Sequence, residues 1–338
     1  MFRNLFLIVL SAISFAAHAE DFHNGYSPDV LGAGYECRYV VHPSGKRCTV
    51  VRNRLDESGS RKAMVYVHGY NDYFFQRELG EYANNNGFHF YAVDLHGYGR
   101  SLQASEDAFD CRNMEEYFPD LDSVIAIARR EGCQEIVLMG HSTGGLIASL
   151  FCQANRGTGK VQALVLNSPF LDWNFGGMME KVLLPSVSGL GALFPRMVAN
   201  GAGKNVGGYA QSLLKQYHGE WTYNTEWKKP VAHHKRAGWV RAIHHGHKTV
   251  QKGCDIDCPI LLMSSKRSAE ETDEWNDEMS RADVVLDVEE IQKYGAKLGK
   301  QVTPVQIDNG LHDLLLSSPS VRSAAYTTIF DWIKQQGL

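Results

Sequence analysis

The chain has 338 residues, 44% of them apolar and 21% charged, with a formal net charge of −4. These are ordinary globular values, which exclude disordered, collagen-like and coiled-coil chains, and the length allows either about two domains or one enlarged one. Such a balance offers no basic face for a polyanion, so no nucleic-acid partner is expected.

Residues 1–19 read as an address: Arg3 in a short basic start, an apolar run from Leu5 to Ala17, then the small-x-small site Ala17-His18-Ala19. That pattern predicts a secretory signal peptide cleaved near Ala19. The apolar run is shorter than the roughly 20 residues a spanning helix needs. The mature protein is therefore expected to be exported, to a periplasm or to the medium. An oxidising compartment permits disulfides. Seven cysteines follow, at 37, 48, 111, 133, 152, 254 and 258, and the odd number leaves at least one thiol over. Cys37 and Cys48 flank the turn Pro43-Ser44-Gly45, which makes a bridge across a hairpin plausible. Cys254 and Cys258 could pair with each other or with Cys133.

Tyr35–His42 and Arg47–Arg54 alternate like two strands around that turn. Ala63–Val67 is an apolar run ending at His68-Gly69, as buried strands do. A helix is expected from about Tyr73 to Asn85, a strand over Phe88–Val93 and a helix over Met114–Arg130. Then follow a strand at Glu135–Met139, a helix at Gly144–Ala154 and a strand at Val161–Leu166. The alternation predicts a mostly parallel central sheet with helices on both faces. From residue 170 to 253 buried-strand signals cease. They resume with Pro259–Met263, a helix at Leu286–Leu298, a strand at Val302–Ile307 and a helix at Val321–Gln335. The chain thus divides into a leader (1–19), a first core part (20–169), a helical cap insertion (170–253) and a second core part (254–338). In such sheets ligands bind at the carboxyl ends of the strands, where the cap would lie.

Gly140-His141-Ser142-Thr143-Gly144 sits between a predicted strand and a predicted helix. As a bare pattern Gly-x-Ser-x-Gly is common; the strand–turn–helix context makes it a nucleophile elbow. The alternative is that Ser142 merely caps the helix. A serine hydroxyl needs a base, and the base an orienting acid, here in the chain order Ser, acid, His. His312, in Asn309-Gly310-Leu311-His312-Asp313, is the last histidine and follows the last buried strand. The acid should lie between residues 264 and 287, where Asp273, Asp277, Asp283 and Asp287 are candidates. Asp283 is preferred because it closely precedes the next helix, and Asp287 is second. An oxyanion hole needs two backbone donors: Thr143 N–H, next to the nucleophile, and Tyr70 N–H, after His68-Gly69.

With His68-Gly69, Asp94-Leu95-His96-Gly97-Tyr98-Gly99-Arg100-Ser101, Gly140–Gly144, Ala282-Asp283 and Gly310-Leu311-His312 in view, the chain resembles the α/β-hydrolase fold. Within that fold it is similar to the group of monoacylglycerol lipases, lysophospholipases and serine aminopeptidases. The resemblance runs from about Lys62 to the C-terminus, outside most of the cap. It implies Ser142 as nucleophile, Asp283 as acid and His312 as base, acting without a cofactor. Two features depart from the group. The segment before Asp283 is long, and Tyr70-Asn71-Asp72 replaces the small residues common after His-Gly.

In the cap, Leu190, Leu193, Phe194, Met197 and Val198 fall at helical spacing, interrupted by Pro195. They form either a face packed on the core or an apolar lid touching an acyl chain or, transiently, a membrane surface. Histidines cluster at His233-His234 and His244-His245-Gly246-His247, but no carboxylate or cysteine stands at ligand spacing, and no metal is expected. The expected activity is that of an exported serine carboxylic ester hydrolase acting on a small-molecule ester or lipid, a monoacylglycerol or lysophospholipid. Two other readings stand beside it: a prolyl-type aminopeptidase, with Glu180, Glu220 or Glu226 holding the substrate amine, and a hydrolase-fold binding protein without turnover.

Overall fold

The computed structural model describes residues 25–55, 59–104, 106–173, 183–272 and 274–338. The leader, Glu180 and Asp273 lie outside them.

Nine strands form one sheet. In chain order they are β1 (Ser27–Pro28), β2 (Glu36–Val41), β3 (Arg47–Asn53), β4 (Lys62–Val67), β5 (His89–Asp94), β6 (Glu135–His141), β7 (Ala163–Asn167), β10 (Ile260–Ser265) and β11 (Val302–Ile307). Their spatial order is β1-β2-β3-β5-β4-β6-β7-β10-β11. The hairpin β2–β3 and its neighbours β1 and β5 pair antiparallel; from β5 to β11 every pairing is parallel.

The central strands are buried on both faces, and successive side chains divide between two cores. On one face Val65, Leu138, Leu164 and Leu262 pack with helices α2 (Phe118–Arg130) and α3 (Thr143–Ala154). On the other, Met64, Met139, Val165 and Met263 pack with α1 (Arg77–Asn85) and α8 (Pro319–Gln335). Each large apolar side chain so buried contributes about 1.5–3 kcal/mol. Together the two cores fix the sheet whose carboxyl edge carries the functional side chains.

Element ends shift from the sequence expectation by a few residues. The helix foreseen from Met114 begins with a 3-10 turn, Met114–Tyr117, set by a capping box between Asn113 and Glu116. The helix foreseen from Leu286 is the shorter α7 (Val288–Gly295), started by Asp287, whose side chain accepts from Glu289 N–H.

The insertion is more than helical. Besides α4 (Leu184–Leu193), α5 (Gly208–Leu213) and α6 (Ala237–Lys252), it contains a two-stranded antiparallel ribbon of β8 (Val198–Asn200) and β9 (Lys235–Arg236). Strands two and three residues long with exposed or half-buried side chains leave no periodic trace in sequence. Helix α6 returns to the core: Trp239, Ala242, Ile243 and Val250 join the cluster around α3. The apolar series in the lid does not pack inward. Leu193 is 74% exposed and Phe194 60%, with Leu190, Met197 and Val198 exposed beside them. Pro195 follows the helix end, so the last two residues of the series leave the helical register.

All seven cysteines are free thiols. The hairpin bridge expected between Cys37 and Cys48 is ruled out by the pleat: Cys48 lies in the core on one face of the sheet, and Cys37 packs against the other. Cys258 does not face Cys254 or Cys133; its hydrogen-bond partner is Cys152 on α3.

Among the described residues no helix is long and apolar enough to cross a membrane.

Candidate active site

Strand β6 ends at His141 and α3 begins at Thr143, so the reversal falls on a single residue, Ser142. Its φ of +52° and ψ of −120° are strained for a side chain other than glycine. Neighbouring backbone holds it there: Ser142 N–H donates to Asn167 O at 3.1 Å, and Ser142 O accepts from Phe170 N–H at 2.9 Å. The two motif glycines are required by close approach. A Cβ on Gly140 would lie 2.5 Å from Gly144 O, and one on Gly144 would lie 2.3 Å from His68 O. The Ser142 side chain makes no capping hydrogen bond to the helix, unlike an ordinary N-cap residue. It stands at the positive end of α3, where negative charge is favoured.

His312 is carried by the loop after β11 and is 3% exposed. Its Nδ1 lies 2.8 Å from Asp283 Oδ2. The other oxygen of the fully buried Asp283 accepts from Val285 N–H and Leu286 N–H, both at 2.8 Å. This carboxylate is thereby solvated by protein donors on one side and orients the imidazole on the other. Asp287 is turned away as the cap of α7, and Asp277 opens the 3-10 turn Asp277–Ser280. The His312 ring lies against the ring of His141, the residue before Ser142, with centroids 4.9 Å apart, and edge-on to Tyr209.

The loop after β4 brings Gly69 beside the elbow, where an added Cβ would sit 3.1 Å from Ser142 Cβ. Tyr70 and Thr143 both line the cavity that opens at Ser142. This cavity has a volume of about 610 Å³. Its walls are mostly apolar: Phe170, Trp173 and Trp239 on one side, Leu184 and Val187 of the lid, and Val285 and Leu286 behind Asp283. The Tyr70 ring packs at a tilt against Trp239, with centroids 4.4 Å apart, and against Phe109 at 4.9 Å. Behind the wall, burial pushes His247 down to about 3, despite its hydrogen bond with Phe170 O, so this ring is neutral. His245, on the same helix, is exposed instead.

Several residues support the site with roles that the sequence alone does not assign. Asp313, next to His312, is fully buried and accepts from Asn167 Nδ2 and Gln76 Nε2 at 2.7 and 3.0 Å. It ties the histidine loop to the ends of β7 and of the α1 entry. Asp94 and Arg100 of the long glycine motif form a buried brace with Asp29. The Arg100 guanidinium grips both Asp29 oxygens at 2.7 and 2.8 Å and reaches Asp94 at 2.8 Å. Asp94 in turn accepts from Phe74 N–H, so the motif shapes the loop that follows Tyr70-Asn71-Asp72.

That loop is latched to the cap. Asn71, at φ +49°, exchanges two hydrogen bonds with the Lys229 backbone, at 2.8 and 3.0 Å. Asp72 pairs with Lys228 at 2.8 Å, both nearly inaccessible. Burial pushes the Asp72 carboxyl up, but Lys228, with His68 and His141, holds it below the usual range. The departure from small residues at 70–72 thus has a structural consequence in the joint between the loop after β4 and the cap.

Among the described residues the only metal-like grouping is His42, Cys48 and Asp120. Its carboxylate is already engaged by His42 at 2.6 Å and by the ring and backbone of His96, both at 2.8 Å. The arrangement is a hydrogen-bonded brace between hairpin, α2 and the loop after β5, and no reaction step needs it.

The sheet order, the elbow on β6 and the insertion after β7 together define an α/β hydrolase. The family model described as serine aminopeptidase, S33, matches residues 58–319, and the chain belongs to that family. No curated protein matches the sequence. Among solved structures it is similar to a soluble variant of monoglyceride lipase from Saccharomyces cerevisiae, with a TM-score of 0.65 at 15% identity over 92% of this chain and 98% of that one. It is also similar to the monoacylglycerol lipase of Paleococcus ferrophilus, with a TM-score of 0.60 at 19% identity over 82% and 95%. Est1E from Butyrivibrio proteoclasticus, bound to ferulic acid, follows with 0.55 at 15% over 88% and 98%.

Proposed function

We propose that this hydrolase cleaves carboxylic esters through an acyl-enzyme formed on Ser142. The observation that carries the reading is the strained Ser142 facing an apolar cavity, with a buried, carboxylate-bound His312 at the same sheet edge. His312, oriented through Nδ1 by Asp283, takes the Ser142 proton at Nε2 as the hydroxyl attacks the ester carbonyl. The N–H groups of Tyr70 and Thr143 receive the oxyanion. The alcohol departs with the proton from His312, and water attacks the acyl-enzyme through the same base.

An apolar cavity of this size suits the acyl chain of a monoacylglycerol or lysophospholipid. The exposed lid ridge of Leu193, Phe194 and Val198 supports transient contact with the lipid surface that presents such substrates. Export of the mature enzyme, to a periplasm or to the medium, rests on the Met1–Ala19 leader. Aminopeptidase activity is the competing outcome. It calls for a carboxylate beside the scissile bond, whereas Glu220 is engaged by Arg322, and the cavity wall among the described residues carries no acid.

A panel of p-nitrophenyl acyl esters and monoacylglycerols, run beside prolyl and other aminoacyl amides, tests the reading. Ester turnover that disappears in Ser142→Ala is expected. Turnover confined to the aminoacyl amides would reassign the substrate class, and no turnover of either would favour a binding protein.

A further inference from the structure

Apart from Ser142, Thr143 and Tyr70 at its floor, the polar residues lining the cavity come from the β8–β9 ribbon. Asn200 and Lys235 are direct partners across that ribbon, and both line the cavity. The register shifts between Val198 and Asn200, as at a bulge, and both members of the Asn200–Lys235 pair line the cavity, so an amide and an ammonium meet at that end of it.

Lys235 is half-buried, and among the described residues its ammonium makes no hydrogen bond or ion pair. The nearest ring is Tyr70, with the centroid 6.0 Å from Nζ. Burial lowers the Lys235 pKa, and Glu271 raises it by a smaller amount. An ammonium held against apolar walls, with Glu271 acting on it only at a distance and no carboxylate in ion-pair contact, is unfavourable alone and becomes favourable when an anion arrives. The Asn200 amide can add a neutral donor to the same anion. The geometry also discriminates: a substrate amine entering here would meet a like charge.

We propose that Lys235 and Asn200 form an anion subsite within the ester cavity, and that preferred substrates carry a carboxylate or phosphate one short chain away from the scissile ester. This rests on Ser142 being the ester-cleaving nucleophile. A single ammonium, in a protein whose net charge is −4, suits one anionic group on a small ester and not a polyanion.

The test uses the full mature chain and four p-nitrophenyl esters of equal acyl length, ending in methyl, carboxylate, phosphate or ammonium. In the wild type, kcat/KM should be higher for at least one anionic ester than for the methyl ester, and lowest for the ammonium ester. The larger of the two anionic ratios identifies carboxylate or phosphate as the natural group. Lys235→Met should lower the anionic-to-neutral ratio by about 10- to 100-fold, the range for losing a charge-assisted hydrogen bond. The loss should appear mostly in KM, because the subsite lies away from the reacting carbonyl. Lys235→Arg should retain the preference, and Lys235→Glu should move it toward the ammonium ester. A wild-type ratio at or below one overturns the proposal, whatever the variants do. So does a Lys235→Met variant with a wild-type melting temperature and a ratio within about twofold of wild type. If the wild type cleaves none of the four esters, the ester reading itself fails, a result distinct from cleavage without charge preference.

Discussion

Replacing Lys228 by methionine keeps most of the side-chain volume and removes the only ammonium facing Asp72 among the described residues. In the native protein the pair is 2.8 Å apart, with Asp72 1% and Lys228 6% exposed. At an effective dielectric of 20 the direct attraction is about 6 kcal/mol, which the desolvation of two ions largely offsets. The pair as a whole therefore adds little, but half of it is costly: Asp72 already has one oxygen without a hydrogen bond, and the variant strands the other. Removing one partner of such a pair costs about 3–5 kcal/mol. At an unfolding entropy of about 2.1 cal/mol/K per residue over the 338-residue chain, this corresponds to a fall of about 4–7 °C in melting temperature.

The sign of the pH dependence follows from Asp72. Its folded pKa is depressed, so its contribution is complete above the unfolded carboxyl pKa and is lost as pH falls through the lower folded value. Without Lys228, burial instead raises the carboxyl, which then protonates readily in weak acid. The gap between wild type and Lys228→Met should thus be widest near neutrality and narrow as the pH approaches about 4. Thermal denaturation across that range measures it, alongside the double variant Asp72→Asn/Lys228→Met, which should recover most of the loss. A Lys228→Met protein melting within about 1 °C of wild type at neutral pH would mean that the buried pair is not coupled as its geometry implies.

Asp283→Asn should reduce kcat by about 10⁴-fold, the scale for an acid that sets the tautomer of its histidine. Asp287→Asn should leave kcat unchanged, because asparagine still caps α7; the opposite pattern in steady-state kinetics would exchange their roles. Gly144→Ala places a methyl 2.3 Å from His68 O and should destabilise by about 3 kcal/mol or more, read by urea denaturation; a near-native midpoint would mean the elbow is looser than described. Arg100→Met strands Asp29 and Asp94 and should cost about 3–5 kcal/mol, whereas an exposed pair such as Arg156–Asp255 should cost under about 1 kcal/mol by the same assay.

The parallel sheet was legible because its strands are continuous apolar runs bounded by glycine and histidine turns, as in Ala63–Val67 before His68-Gly69. Ser142 and His312 stood out because short local patterns carry them. The choice between Asp283 and Asp287 is different in kind. Both precede α7, and only the backbone turns one carboxylate inward to His312 while the other caps the helix. The ribbon of β8 and β9 was illegible because strands of two or three residues show no period, and with it went Asn200 and Lys235. Lys228 carries no local signal in the sequence, because its partner Asp72 is 156 residues away, beyond any local pattern. The hairpin cysteines lie close to one turn, yet the pleat sends Cys37 and Cys48 to opposite faces of the sheet, a fact of geometry that turn proximity alone does not carry.

Covalent capture of the nucleophile tests the central claim most directly. The mature protein, incubated with a fluorophosphonate probe, should gain a single adduct by intact mass. Peptide mapping should place that adduct on Ser142, and Ser142→Ala and His312→Ala should each abolish it. A wild-type protein that stays unmodified while correctly folded, or an adduct on another residue, would contradict the account.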